Sequence, residues 1–93
     1  MNFSYQTREQ DAAEADLLEE KWHHLIIWND DVNTFDWVIN ALVEICKHTP
    51  EQAEQCALFI HYQGKYAVKK GDFNTLRPMC EALIDREINA TID

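Results

Sequence analysis

The segment HTPEQAEQCALFIHYQG, residues 48–64, constrains the fold more than any other because both of its ends are marked. Thr49 is a typical N-cap, Pro50 suits the first helical position, and Gln52 completes a capping box. Gly64 suits the left-handed residue that ends a helix. Between these signals, an apolar stripe recurs at three- and four-residue steps at Ala53, Cys56, Ala57 and Ile60. The pattern predicts one amphipathic helix with defined ends.

The segment before this helix predicts a strand, an acidic junction and another helix. Residues 23–28 (HHLIIW) are β-branched and aromatic, as in a short strand. Asn33 is placed as the N-cap of the helix, with Asp36 in a box-like position. The apolar residues of the helix are Phe35, Val38, Leu42 and Ile45. The Asn29-Asp30-Asp31 junction is open to three interpretations: a turn that connects the strand to the helix, a metal-binding loop or a site for a positively charged group.

The segment after the central helix predicts a strand, a third helix and a final strand. Residues 65–70 (KYAVKK) form the strand, and the following helix begins near Asn74 or Thr75, because Pro78 suits only a first turn. Its inward side is predicted to hold Leu76, Met79, Cys80, Leu83 and Ile84. Ile88, Ala90 and Ile92 alternate with polar residues, as in a half-buried strand. We therefore expect an α+β fold: one small β-α-α-β-α-β sandwich, with a three-stranded antiparallel sheet packed against three helices.

The charge and length of the chain limit its possible domain organisation and partners. The 93 residues allow one domain, and the net charge is −9. Residues 1–21 carry six acids and two bases without a sustained apolar period, so they are predicted to be a flexible acidic N-terminal extension to a core of residues 22–93. Without a basic face, nucleic acid is not expected as a partner. The chain also lacks a membrane-spanning run and a signal pattern, so we expect a cytoplasmic protein without a membrane partner.

The residues that could support catalysis or metal binding do not form a recognisable site. Cys46, Cys56 and Cys80 show no C-x-x-C spacing and are predicted to be reduced, buried thiols. Counted from either aspartate, the junction lacks the glycine and glutamate of an EF-hand loop. A Cys56–His61 pair would face different directions on its helix. No metal, cofactor or enzymatic activity is therefore expected.

Two motifs together resemble the ClpS family of bacterial adaptor proteins. They are the Asn29-Asp30-Asp31 run, followed by a helix with Phe35 and Val38, and the sequence IHYQGK at residues 60–65. The similarity covers roughly residues 22–93 and includes the β-α-α-β-α-β order. It implies an adaptor that binds proteins with a bulky hydrophobic N-terminal residue (Leu, Phe, Tyr or Trp) and delivers them to a Clp-class AAA+ ATPase. The implied partners are these N-degron substrates and a ClpA- or ClpC-like N-terminal domain, with a monomer as the expected state.

The resemblance also implies a set of site residues. Asn29, Asp30 and His61 would hold the α-amino group of the substrate, and Asn33 would meet its peptide backbone. The residues implied for the hydrophobic pocket are Phe35, Val38, Ala57, Ile60 and Ile88. Asp31 is expected to fix the turn rather than touch the ligand. From the residues alone, His61 is ambiguous, and a half-buried histidine that donates to a backbone carbonyl is the more common case.

Two alternative functions are compatible with the residues, and two positions depart from the family pattern. The protein could dock on a Clp ATPase and modulate it without binding N-degrons, or be a structural domain like the C-terminal domain of the ribosomal stalk protein. Family members often carry Met at the positions of Phe35 and Ala57. We expect these two changes to offset each other in volume and Phe35 to exclude β-branched first residues.

Overall fold

The computed structural model describes residues 22–93 and contains six elements. In chain order these are β1 (His23–Trp28), α1 (Phe35–Cys46), α2 (Pro50–Gln63), β2 (Lys65–Gly71), α3 (Phe73–Asp85) and β3 (Ala90–Ile92). The predicted order of strands and helices is confirmed, as is the three-stranded antiparallel sheet. The extension predicted for residues 1–21 lies outside the described residues.

Strand β1 is the centre of the sheet. The strand order is β2-β1-β3, and both pairings are antiparallel. Trp28 pairs with Lys65 at one end of β1, while Ile27 pairs with Ala90 on the other side. Leu25 and Ile27 are fully buried beneath the helices, as alternation on one covered face requires. The last residue of β1 therefore lies between the starts of β2 and β3, and the acidic loop leaves from that point.

The predicted limits of α2 are confirmed at both ends. The Thr49 hydroxyl accepts a hydrogen bond from the Gln52 backbone N–H, and the Gln52 side chain accepts one from Thr49 N–H, both at 3.1 Å. Gly64 ends the helix with φ 90°, and its N–H donates to the Ile60 carbonyl at 3.0 Å. The predicted apolar stripe of this helix is buried.

The N-cap predicted for α1 is wrong by one residue. Thr34 caps the helix, with its hydroxyl accepting from the Trp37 backbone N–H at 3.1 Å. Asn33 is engaged elsewhere, because its side-chain amide donates to the Asp30 carboxylate and to the Glu87 carbonyl, each at 2.9 Å. With the cap moved, Asp36 becomes the second helical residue and does not complete a capping box.

Two predictions for α3 also require correction. The helix begins at Phe73, earlier than predicted, because the Asp72 carboxylate caps it by accepting from Thr75 N–H at 2.8 Å. Pro78 consequently lies in the second turn. Ile84, which the pattern predicts on the inward side, is 53 % exposed. It lies in the last turn, about 100° around the helix from the buried Leu83, so it falls outside the inward stripe.

The interior is apolar, and the three cysteines are part of it. Cys46, Cys56 and Cys80 are free and buried, as predicted. Burial raises the pKa of all three thiols, and it raises that of Cys46 to about 11. Over residues 22–93, no group of three or more His, Cys, Asp or Glu side chains is arranged to hold a metal ion. No helix in this part of the chain is long and apolar enough to cross a membrane.

Candidate functional site

The acidic loop, residues 29–33, is held in shape by the carboxylate of Asp30. Its Oδ1 accepts from the backbone N–H groups of Val32 and Asn33, at 3.0 and 2.9 Å, and its Oδ2 accepts from the Asn33 side chain. Hydrogen bonding, chiefly from the Asn33 backbone N–H, lowers the pKa of Asp30. Asp30, and not Asp31 as expected, therefore fixes the turn.

The loop is fastened to the ends of two helices. The Asn29 backbone N–H donates to the Gly64 carbonyl at 2.8 Å, just after the end of α2. The Asn33 side chain donates to the Glu87 carbonyl, just after the end of α3. Because His61 lies in the last turn of α2, the first of these bonds brings the loop beside His61. Residues more than 30 positions apart in the sequence thus line one depression.

A pocket of about 330 Å³ lies between the acidic loop, the start of α1 and the last turns of α2. Eight of the nine predicted site residues line it: Asn29, Asp30, Asn33, Phe35, Val38, Ala57, Ile60 and His61. The ninth, Ile88, borders a small adjoining cavity of about 20 Å³ that Val38 and Ile60 also line. We call the 330 Å³ space the candidate pocket.

Sequence reasoning missed two residues that line the candidate pocket. Asp31 contributes a second carboxylate, and Thr34 lies at the rim where α1 begins. Asp31 belongs to the same acidic run as Asp30, and the run gives no indication which aspartate the turn uses. Among the hydrogen bonds of residues 22–93, none uses the Asp31 side chain, so this carboxylate is available at the pocket.

The candidate pocket has a polar side and an apolar side. Asn29, Asp31 and His61 are exposed to solvent and supply an amide, a carboxylate and an imidazole, respectively. Val38, Ala57 and Ile60 are buried and form the apolar wall. A ligand that carries a cationic hydrogen-bond donor next to a hydrocarbon side chain matches this division.

Phe35 and His61 contact each other in the lining of the candidate pocket. Phe35 is the first residue of α1, is 45 % exposed, and meets the His61 ring edge to face with 5.4 Å between ring centroids. The contact joins the start of one helix to the end of the next. Two aromatic rings, one from each helix, therefore meet in the lining of the pocket.

The candidate pocket is distinguished by its chemistry and not by its size. A larger cavity of about 510 Å³ lies between the end of α1, the start of α2 and β2, and contains none of the predicted site residues. Another of about 460 Å³ lies beside the acidic loop and shares Asn33 and Thr34 with the candidate pocket.

Comparison with known proteins gives consistent matches. The sequence profile described as "ATP-dependent Clp protease adaptor protein ClpS" matches residues 18–91. A ClpS adapter of Campylobacter jejuni (strain 81-176) is 40 % identical over 55 residues, which are 59 % of this chain and 57 % of that protein. A ClpS adapter of Nitratidesulfovibrio vulgaris (strain DSM 19637 / Miyazaki F) is 29 % identical over 51 residues, which are 55 % of this chain and 51 % of that protein. The matched regions thus span little more than half the length of these relatives.

A solved structure resembles the fold. Agrobacterium tumefaciens ClpS2, bound to L-phenylalaninamide, superposes with a TM-score of 0.73, covering 80 % of this chain and 96 % of that one. The sequence identity is 16 %, so this likeness shows the fold alone.

Proposed function

Since this chain belongs to the ClpS family of ATP-dependent Clp protease adaptor proteins, we propose that its candidate pocket binds the free N-terminus of substrate proteins whose first residue is bulky and hydrophobic. The protein would act without catalysis, by capturing Leu, Phe, Tyr or Trp N-termini and presenting them to a Clp-class AAA+ ATPase in the cytoplasm. The observation that carries this proposal is the pairing of exposed acceptors with a buried apolar wall in one 330 Å³ space.

The polar side suits an α-ammonium group. Such a group carries one positive charge and three donors, and it needs acceptors and a nearby carboxylate. Asn29 and His61 offer polar side chains, and Asp30 and Asp31 offer negative charge. Asp30 already accepts hydrogen bonds from within the loop, so Asp31 has more free acceptor capacity. We assign Asp30 both to shaping the loop and to attracting the cation.

The apolar side suits one large side chain. Burying a Leu or Phe side chain contributes roughly 1.5–3 kcal/mol. A volume of about 330 Å³ lies at the small end of ligand sites, which fits a single amino-acid residue better than a cofactor. An internal leucine could occupy this wall but would bring no ammonium, so the two sides together select chain ends.

The ligand in the related structure is consistent with this chemistry. L-phenylalaninamide, which is bound to Agrobacterium tumefaciens ClpS2, combines a free α-amino group with a bulky aromatic side chain. The polar side of the candidate pocket would select the free α-amino group, and the apolar side would select the bulky side chain.

Fluorescence anisotropy with peptides that differ only at residue one tests the proposal. The set consists of Leu, Phe, Ile and Lys peptides and an N-acetylated Leu peptide. We expect Leu and Phe peptides to bind, and acetylation to abolish binding because it removes the positive charge. Asp31→Asn should weaken Leu binding by about tenfold, equivalent to 1.4 kcal/mol, through loss of one charge-assisted interaction.

The control variant is Glu51→Gln, which makes the same charge change on an exposed residue in the first turn of α2, where it lines the separate 510 Å³ cavity. It should leave Leu binding unchanged. Equal binding of free and acetylated peptides would refute the assignment of the polar side. If a folded protein bound no peptide, the ATPase-docking modulator without N-degron binding would become the better account.

A further inference from the structure

The 460 Å³ cavity beside the acidic loop is not used by the proposed function. Its apolar surface is supplied by Trp37, which is 46 % exposed, and by Val32, whose side chain points to solvent. Asp85 and Glu87 add two exposed carboxylates at the end of α3. We call the space between these four residues the Trp37 groove.

The Trp37 groove has fixed walls. The indole N–H of Trp37 donates to the Arg86 carbonyl at 3.0 Å, which sets the direction of the ring. The Asn33 side chain donates to the Glu87 carbonyl and holds the opposite wall at the acidic loop. Both bonds join residues that are about 50 positions apart, so the groove is a product of the tertiary fold.

The charge of the Trp37 groove is negative. Arg86 lies within its lining, but its guanidinium is paired with Glu44 at 2.6 Å. Within residues 22–93, neither Asp85 nor Glu87 takes part in an ion pair. The groove therefore combines a half-exposed indole with two exposed carboxylates, and such a combination attracts a guanidinium or ammonium group.

The Trp37 groove continues from the candidate pocket. Asn33 and Thr34 line both spaces, so the rim between them is a shared wall at the start of α1. Consecutive Cα atoms are about 3.8 Å apart, which places residues two and three of a bound chain within roughly 7 Å of residue one. A substrate whose first residue fills the candidate pocket can thus place its next side chains over the rim.

From this continuity and charge, we propose that the Trp37 groove receives a basic side chain at residue two or three of the substrate, with Arg favoured over Lys. The inference rests on the proposed function, because the basic side chain is placed in the groove by the same chain whose N-terminus occupies the candidate pocket. Arg is favoured because its planar guanidinium can stack on the Trp37 ring while bonding to a carboxylate. A Glu side chain at the same place would meet Asp85 and Glu87 and be repelled.

The test uses labelled peptides that all begin with Leu and carry Arg, Lys, Gln or Glu at residue two or at residue three. A composition-matched peptide carries its Arg near the labelled C-terminal end instead. We expect Arg at one of the two early positions to bind roughly three- to tenfold tighter than Glu at the same position. The preference should shrink in about 1 M salt because exposed charges are screened.

Two double variants assign the preference to the groove. Asp85→Asn/Glu87→Gln removes the two groove carboxylates, and Glu51→Gln/Glu54→Gln removes two exposed carboxylates from α2. The first should bring the Arg-to-Glu ratio close to one, and the second should preserve the ratio seen in the unmodified protein. Because both change the net charge equally, general attraction between a basic peptide and an acidic protein would affect them alike.

The outcomes separate this inference from the proposed function. If Leu peptides bind with equal affinity whichever residues stand at positions two and three, the proposal for the Trp37 groove is wrong. The proposed function of the candidate pocket would be unaffected. An equal gain from Arg near the C-terminal end, or equal effects of the two double variants, would also overturn the proposal for the groove. Absence of any free-amine-dependent binding would overturn both.

Discussion

Phe35 and His61 meet edge to face in the lining of the candidate pocket, with their ring centroids 5.4 Å apart and their planes at 71°. Phe35 starts α1 and His61 lies in the last turn of α2, so the contact depends on how these helices pack. One ring belongs to the apolar side of the pocket and the other to its polar side. On the proposed function, the two rings would limit the width of a first side chain near its Cβ atom.

Phe35→Ala should relax selection against β-branched first residues. Ile and Val branch at Cβ, where we expect the Phe35 ring to limit the space, so removing the ring should raise their affinity relative to Leu by roughly tenfold. The measurement is peptide anisotropy with Leu, Ile and Val at residue one.

A matched control for Phe35 is Phe73→Ala. Phe73 is also the first residue of a helix, is 47 % exposed, and also meets a histidine edge to face, His23, at 5.9 Å. It lies outside the candidate pocket, so the Ile-to-Leu ratio should not change. An unchanged ratio in Phe35→Ala would show that another residue sets the selectivity.

Asp30→Asn should destabilise the protein in a pH-dependent way. The folded-state pKa of Asp30 is lowered from its ordinary value of 3.8, chiefly by the Asn33 backbone N–H. Its charged form therefore stabilises the fold fully above pH 3.8, and this contribution is lost as the pH falls through the lower folded-state pKa. Urea unfolding should show a loss of about 1 kcal/mol at pH 7 that disappears in strong acid.

The comparison variant for Asp30 is Asp31→Asn. Asp31 makes none of the hydrogen bonds that hold the acidic loop. Its substitution should change the free energy of unfolding little while weakening peptide binding. If Asp31→Asn destabilised the fold as much as Asp30→Asn, the assignment of the loop-stabilising role to Asp30 alone would be wrong.

Lys47→Gly should stabilise the protein. Lys47 follows α1 in the left-handed region, with φ 63° and ψ 29°, a conformation that costs a residue with a Cβ about 1–2 kcal/mol. Glycine avoids this cost but loses more freedom on folding, so the net gain in the free energy of unfolding should be about 0.5–1 kcal/mol. Lys47→Ala keeps the Cβ and should show no such gain. Equal unfolding free energies for the two variants would remove the conformational explanation.

The three cysteines should react slowly with iodoacetamide in the native protein at pH 8. Burial raises the pKa of each thiol and keeps the reactive thiolate scarce, most of all at Cys46, whose pKa is about 11. Mass spectrometry of proteolytic fragments should show Cys46 as the slowest to be modified, with fast modification of all three in denaturant. Rapid labelling of Cys46 before the others would contradict its placement in the core.

The sequence allowed much of the fold to be predicted because the deciding interactions are local. The cap, box and stop of α2 involve Thr49, Gln52 and Gly64, and each acts on a neighbouring turn. The N-cap of α1 was missed because Asn33 and Thr34 are both good caps. Asn33 is withdrawn from that role partly by the Glu87 carbonyl, 54 residues away.

The candidate site was predictable in composition but not in the roles of its members. The motifs at residues 29–31 and 60–65 indicated which residues would meet, through resemblance to a family. Which aspartate holds the loop depends on backbone N–H directions at Val32 and Asn33, which the sequence does not specify. The Trp37 groove was not predicted at all, because it depends on a bond from Trp37 to the Arg86 carbonyl, 49 residues away.

The central claim is that the candidate pocket recognises an α-ammonium group next to a bulky side chain. Calorimetric titration with L-phenylalaninamide and with 3-phenylpropanamide, which differs only by lacking the amino group, tests it most directly. We predict that L-phenylalaninamide binds and displaces a labelled Leu peptide, while 3-phenylpropanamide does neither at the same concentration. Equal binding of the two compounds would contradict the claim, because the pocket would then recognise only the aromatic side chain.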